Sequence, residues 1–203
     1  MTTTVYLVRH AVHDVVEHVL VGRNQQRGLS SEGSRQASRL GTYFAGKQIA
    51  DIQSSPQLRA RQTANAIATA IGIPCRIVAD IDEIDAGDWT GRSFDDLEND
   101  ARWRRWNSQR EAARIPGGES MHEVQGRIMR HLARVAECCA DRRVVMVTHA
   151  EIIRAAILKF RGMPLQDFIK TPVAPASVTV ISLTRHGGQV LRENAQVDLS
   201  VAA

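Results

Sequence analysis

Two histidines and two arginines stand where a buried strand would run out. Val5 to Val8 is a short, continuous apolar run followed at once by Arg9 and His10. Arg143 to Thr148 is a second such run, and His149 follows it. A third, Ile49 to Ser54, leads into Ser55-Pro56 and a helical stretch whose first turn carries Arg59. Unbroken apolar runs of this length suit strands buried on both faces of a parallel sheet. Ligands of such sheets gather beyond the carboxyl ends of the strands. If the three runs are parallel neighbours, His10, His149, Arg9 and Arg59 converge at one end, with helix amino termini adding positive potential. Imidazole can act as a nucleophile and guanidinium can clamp phosphoryl oxygens, so the set suits a dianionic phosphate. A proton donor for a leaving group is still needed. The acidic stretch from Asp82 to Gly91 offers Asp82, Glu83, Asp85 and Asp88, with Glu83 the leading candidate.

Each residue also has a plainer reading. A lone buried histidine is more often a satisfied core residue, and an arginine on a helix is more often solvated surface. Arg59, however, sits in a first turn, where a cation opposes the helix dipole, and that cost favours a ligand role. His13 and His18 belong to a long connection, Ala11 to Gly28, and long connections in compact domains tend to carry function. Trp103 and Trp106 are read as packing residues rather than stacking platforms.

The elements that must hold these residues alternate between strand and helix. A helix is expected from Ser30 or Ser31, as N-cap, to about Gly46. A second is expected with Ser55 as N-cap and Pro56 at the first helical position, stopping at Gly72. Pro74 to Ile81 is a further strand. Phe94 to Glu111 reads as a helical excursion over the site, and Ser120 caps a long amphipathic helix. Ile152 to Phe160 is helical, and a hairpin closes the chain across His186-Gly187-Gly188. This order predicts a single three-layer α/β/α domain over residues 1–203, with a mainly parallel sheet and an antiparallel edge.

Composition narrows the function classes. An apolar fraction of 43% over 203 residues supports a sizeable core. The net charge of +4 is spread without a run of like charges, so no nucleic-acid partner is expected. Cys75, Cys138 and Cys139 form no disulfide or metal pattern. No His-x-x-x-His or Glu-x-x-His unit falls beside the expected site, so no metal is expected. No leader and no apolar stretch of membrane-spanning length is evident, so a cytoplasmic protein with no membrane partner is expected.

Five separated motifs resemble those of the histidine phosphatase superfamily, with its phosphoglycerate mutase-like fold, from Val5 to about Ala156. These are Leu7-Val8-Arg9-His10, the stretch Ser54-Ser55-Pro56 through Arg59 to Ala64, Glu83 to Gly91, Pro116-Gly117-Gly118-Glu119-Ser120, and Val147-Thr148-His149. The resemblance implies that His10 is the phosphorylated nucleophile, Arg9 and Arg59 hold the phosphate, Glu83 is the general acid and His149 is the second site histidine. It also implies hydrolysis of a small phosphorylated metabolite with no cofactor, and is compatible with a homodimer. A mutase of the same family and a phospho-ligand binding protein are the alternatives. The chain departs from the family pattern at Ala11, Val12, Val16 and Ala150. A phosphate ligand usual near position 16 is replaced by Val16, and His13 or Arg23 is the expected substitute.

Overall fold

The computed structural model describes residues 1–14, 18–23 and 27–197. Six strands form one sheet: β1 (Thr3–Arg9), β2 (Asp51–Ser54), β3 (Cys75–Ile77), β4 (Arg143–Thr148), β5 (Val178–Thr184) and β6 (Gly187–Ala195). Their spatial order is β3-β2-β4-β1-β5-β6. The pairs β1/β4, β2/β4 and β2/β3 are parallel, whereas β5 and β6 run antiparallel at one edge. Six helices accompany them: α1 (Ser31–Phe44), α2 (Leu58–Ile71), α3 (Phe94–Glu98), α4 (Ala101–Ser108), α5 (Met121–Cys138) and α6 (Ala150–Phe160).

The central strands are apolar on both sides because helices cover both sides. Val5, Leu7, Val144 and Met146 pack into a core shared with α5 and α6. Val8, Val145 and Val147, pointing the other way, join the core under α1 and α2. That alternation is the period-two pleat buried on two faces, and it produces the three layers.

Local signals set most element ends. Ser30 caps α1 by accepting from the Gly33 amide at 3.1 Å. Ser120 and Glu123 exchange a reciprocal capping box at the start of α5. The excursion divides into α3 and α4, and their Trp103 and Trp106 pack edge-on against buried Trp89. The strand expected from Pro74 to Ile81 stops at Ile77, and a 3-10 turn follows at Ala79–Ile81.

One cap differs from expectation. Helix α2 begins at Leu58 with Gln57 at the N-cap and no side-chain cap. Ser55 is therefore not its cap, nor Pro56 its first residue. The Ser55 hydroxyl is drawn instead to His149 and Asp82.

Candidate active site

Register places the chemistry. Arg9 of β1 pairs with Thr148 of β4, and Ser54 of β2 pairs with Val147. The ladder continues one residue further, with His10 N donating to Thr148 O at 2.9 Å and Ser55 N to Val147 O at 2.9 Å. His10, His149 and Ser55 thus form one row just past the carboxyl ends of three adjacent strands. The His10 and His149 rings lie 5.1 Å apart between centroids and are buried.

Hydrogen bonding fixes the state of each ring. His10 Nδ1 lies 2.8 Å from the Ala11 carbonyl, which only accepts, so Nδ1 carries the proton. Its Nε2 is unprotonated, and its lone pair accepts from Arg59 Nε at 3.3 Å. Burial, with Arg59 and Arg9 nearby, holds the His10 pKa well below the ordinary imidazole value. A neutral ring with a free lone pair is the form a nucleophile requires.

Arg59 is buried at 1% exposure. Its Nη2 donates to Gly22 O at 2.8 Å and approaches His149 Nδ1 at 3.4 Å. Its Nη1 is buried without a partner. Arg9 donates Nη1 to Val173 O at 2.6 Å, and its Nε is likewise unpartnered. Buried donors are normally satisfied, so unused guanidinium N–H groups on the wall of a cavity invite an anionic oxygen.

Glu83 sits across from His149, with Oε2 3.3 Å from Nδ1 and 3.8 Å from Arg59 Nη2. Burial raises its carboxyl to about 7, against the opposing pull of Arg59. It is thereby poised to exchange a proton near neutral pH. Its backbone is anchored from behind: Arg23 Nε and Arg127 Nη2 both donate to the Glu83 carbonyl, at 2.8 and 3.0 Å. Glu119 holds these two arginines through 2.9 and 3.0 Å bonds and accepts from the Asp85 amide at 2.9 Å.

A cavity of about 310 Å³ opens against Arg9, His10, Arg59 and Glu83, whereas His149, fully buried, is not on its wall. Arg9, His10, Arg59, Glu83 and His13 line one end, and Leu20, Phe94, Trp103, Trp106 and Arg110 enclose much of the rest. His13 stacks on His10 with centroids 5.6 Å apart, and burial lowers its pKa to about 4. Its buried Nδ1 has no partner. Arg23 does not share this wall. Its guanidinium is committed to Glu119 and the Glu83 carbonyl, with Asp82 and Asp85 each at 3.6 Å. Three surrounding carboxylates account for that departure from the expected substrate contact. His18 is exposed, and Val16 lies outside the described residues.

Several neighbours escaped sequence reading. Glu151, two residues past His149, accepts from Arg110 at 2.8 Å and from Arg154 at 3.0 Å, and all three line the cavity. Its place in the first turn after a strand-end histidine was the available signal. Arg110 lies 3.7 Å from the Phe168 ring centroid, a cation–π contact invisible from spacing. Among the described residues, no group of three or more His, Cys, Asp or Glu side chains could hold a metal ion.

Comparisons with known proteins bear on the family and the fold. The profile of the histidine phosphatase superfamily (branch 1) matches residues 5–196. A Salmonella choleraesuis protein, named a probable phosphoglycerate mutase, GpmB, is 31% identical over 79% of this chain and 75% of its own. The YhfR protein of Bacillus stearothermophilus superposes with a TM-score of 0.90 at 25% identity, covering 97% of this chain and all of that one. A mycobacterial glucosyl-3-phosphoglycerate phosphatase, solved with VO3, gives 0.84 at 26% identity, over 95% of this chain and 98% of that one.

Proposed function

The chain belongs to the histidine phosphatase superfamily, branch 1, and from that membership we propose that it hydrolyses a small phosphomonoester through a phosphohistidine at His10, without a metal. The observation that carries this reading is the unprotonated Nε2 of His10, which accepts a long 3.3 Å bond from Arg59 Nε, held beside the unpartnered Nη1 of Arg59 and Nε of Arg9. The substrate dianion is gripped by Arg9 and Arg59, with His13 Nδ1 a further contact and His149 beside them, 3.4 Å from Arg59 Nη2. His10 Nε2 attacks phosphorus in line with the departing oxygen, and Glu83, protonated, gives its proton to that oxygen. Glu83, now ionised, takes a proton from water as the water attacks the phosphoenzyme and releases orthophosphate. Arg9 and Arg59 supply the positive potential for charge on the transferring group. Arg23 acts behind the wall, steadying the Glu83 carbonyl.

The test is phosphate release from an aryl phosphate, with chelator present, from about pH 5 to 8. Wild type and His10→Ala are run side by side. Release by wild type alone supports the covalent scheme, and release by both overturns it. A mutase reading is favoured by the likeness to GpmB. Isomerisation of a monophosphoglycerate, dependent on a bisphosphorylated primer, would establish that reading instead.

A further inference from the structure

We propose that Ser55 and Asp82 are positioning residues that lock His149 in one tautomer, its proton on Nε2 and its lone pair on Nδ1 facing Glu83. The proposal deepens the phosphoryl-transfer reading and rests on it for the kinetic outcome alone.

Donor and acceptor bookkeeping leaves one arrangement. Asp82 Oδ1 only accepts, and three donors converge on it: the Ser55 hydroxyl at 3.0 Å, Gln57 Nε2 at 2.8 Å and the Glu83 amide at 2.8 Å. Because the Ser55 hydroxyl proton points to Asp82, its oxygen must accept from its other neighbours. These are the Gln57 amide at 3.3 Å and His149 Nε2 at 2.7 Å. His149 Nε2 therefore carries a proton. At the far side of the ring, Arg59 Nη2 can only donate to Nδ1, which requires a lone pair there. Serine, aspartate and the imidazole are all buried or nearly so, with Ser55 and His149 at 1% exposure or less. Hydrogen-bond chains of this kind hold rings firmly where water does not compete.

The chemical consequence concerns Glu83. Its Oε2 faces the His149 lone pair, so the protonated carboxyl has a fixed acceptor in the resting site. In the other tautomer, His149 would carry its proton on Nδ1 toward Arg59. It would also favour the ionised form of Glu83 and so hold back the acid required by the leaving group. Asp82 links the two residues through the Glu83 amide, so one carboxylate orients both. The charged and titratable groups facing His149 are Arg59 from α2, Arg9 at the end of β1, His10 just past it, Arg127 from α5 and Glu83 itself. Those facing the Glu83 carboxyl are Arg59, Arg9 and Glu151.

The experiment uses the full chain labelled with 15N-histidine, comparing wild type, Ser55→Ala, Ser55→Thr and Asp82→Asn. Long-range 1H–15N correlation at about pH 6, where Glu83 is protonated, reads the His149 tautomer directly. Wild type and Ser55→Thr should show the Nε2–H form, and Ser55→Ala should gain the Nδ1–H form. Asp82→Asn, which keeps the shape and removes the charge, should shift in the same direction by less. With an aryl phosphate, Ser55→Ala should lose at least about tenfold in kcat, with its pH profile displaced and the threonine variant largely rescued. An unchanged tautomer and superimposable pH profiles in both Ser55→Ala and Asp82→Asn overturn the proposal. If wild type releases no phosphate, the enzymatic reading falls, while the tautomer measurement still decides the relay.

Discussion

His10 and His149 face each other with opposite nitrogens unprotonated, and one guanidinium serves both lone pairs. Arg59 Nε approaches His10 Nε2 at 3.3 Å, and Arg59 Nη2 approaches His149 Nδ1 at 3.4 Å. This positive charge is also the largest influence after burial in keeping both rings neutral.

Replacing Arg59 should therefore act in two ways. Arg59→Gln removes transition-state charge stabilisation, and kcat/KM should fall by about 10²–10³. It also removes a neighbouring cation, so the His10 pKa should rise and the acidic limb of the pH–rate profile should move to higher pH. Arg59→Lys should recover little, because an ammonium cannot present the fork that reaches both rings. An unmoved acidic limb in Arg59→Gln would dismiss the electrostatic role.

Glu83 should impose a basic limb on substrates with poor leaving groups. Its carboxyl is raised to about 7, so the protonated acid is depleted as pH rises through that value. An alkyl phosphate should show the limb in wild type, and Glu83→Gln should abolish turnover of that substrate far more than of an aryl phosphate. Equal losses on both would rule Glu83 out as the acid.

The same shift has a stability signature. A carboxyl raised by burial binds its proton more tightly in the folded state than in the unfolded one. The stability it contributes is complete below the ordinary value of 4.5 and is lost as pH rises through about 7. Melting temperatures at pH 5 and pH 8 should thus diverge more in wild type than in Glu83→Gln.

The loop carrying Glu83 leans on the Pro116–Gly118 loop with no room to spare. A Cβ on Gly118 would meet Asp85 O at 2.2 Å, and one on Gly87, at φ +45°, would meet Pro116 O at 2.1 Å. Gly118→Ala should displace the acid and lower kcat on alkyl phosphates more than on aryl phosphates. A crystal structure of the variant showing an unmoved Glu83 would contradict this account.

Trp89 offers a test of packing around the cavity. It is fully buried, with Trp103 and Trp106 at 5.3 and 6.3 Å between centroids. Trp89→Ala should cost about 3–5 kcal/mol in urea unfolding and should raise KM, because both neighbours line the cavity.

The mainly parallel sheet and the convergence of Arg9, His10, Arg59 and His149 were legible because continuous apolar runs ending in polar residues have few solutions in an α/β sheet, whereas Glu83 was legible chiefly from the motif it resembles. The roles of Ser55 and Arg23 were not. Ser55 stood at a plausible cap, and a serine hydroxyl bonds a helix amide or an imidazole equally well. Arg23 stood in a loop near the site, and only the fold reveals that Glu119, Asp82 and Asp85 enclose it. Such charge networks depend on three-dimensional proximity between segments with no shared period. Glu119 was legible as part of a loop, but Arg127, its partner, looked like any arginine of an amphipathic helix.

The pairing of β1 with β4 has a consequence for biogenesis. His149 is synthesised long after His10, because α1, β2, α2, β3 and α3 to α5 lie between them. Between them, the growing polypeptide holds an incomplete sheet whose central seam has no partner strand. Closing contacts so distant in sequence is slow, and exposed strand edges at that stage invite aggregation. Catalytic competence should consequently appear only once β4 has been made, so the appearance of activity times closure of the sheet's centre.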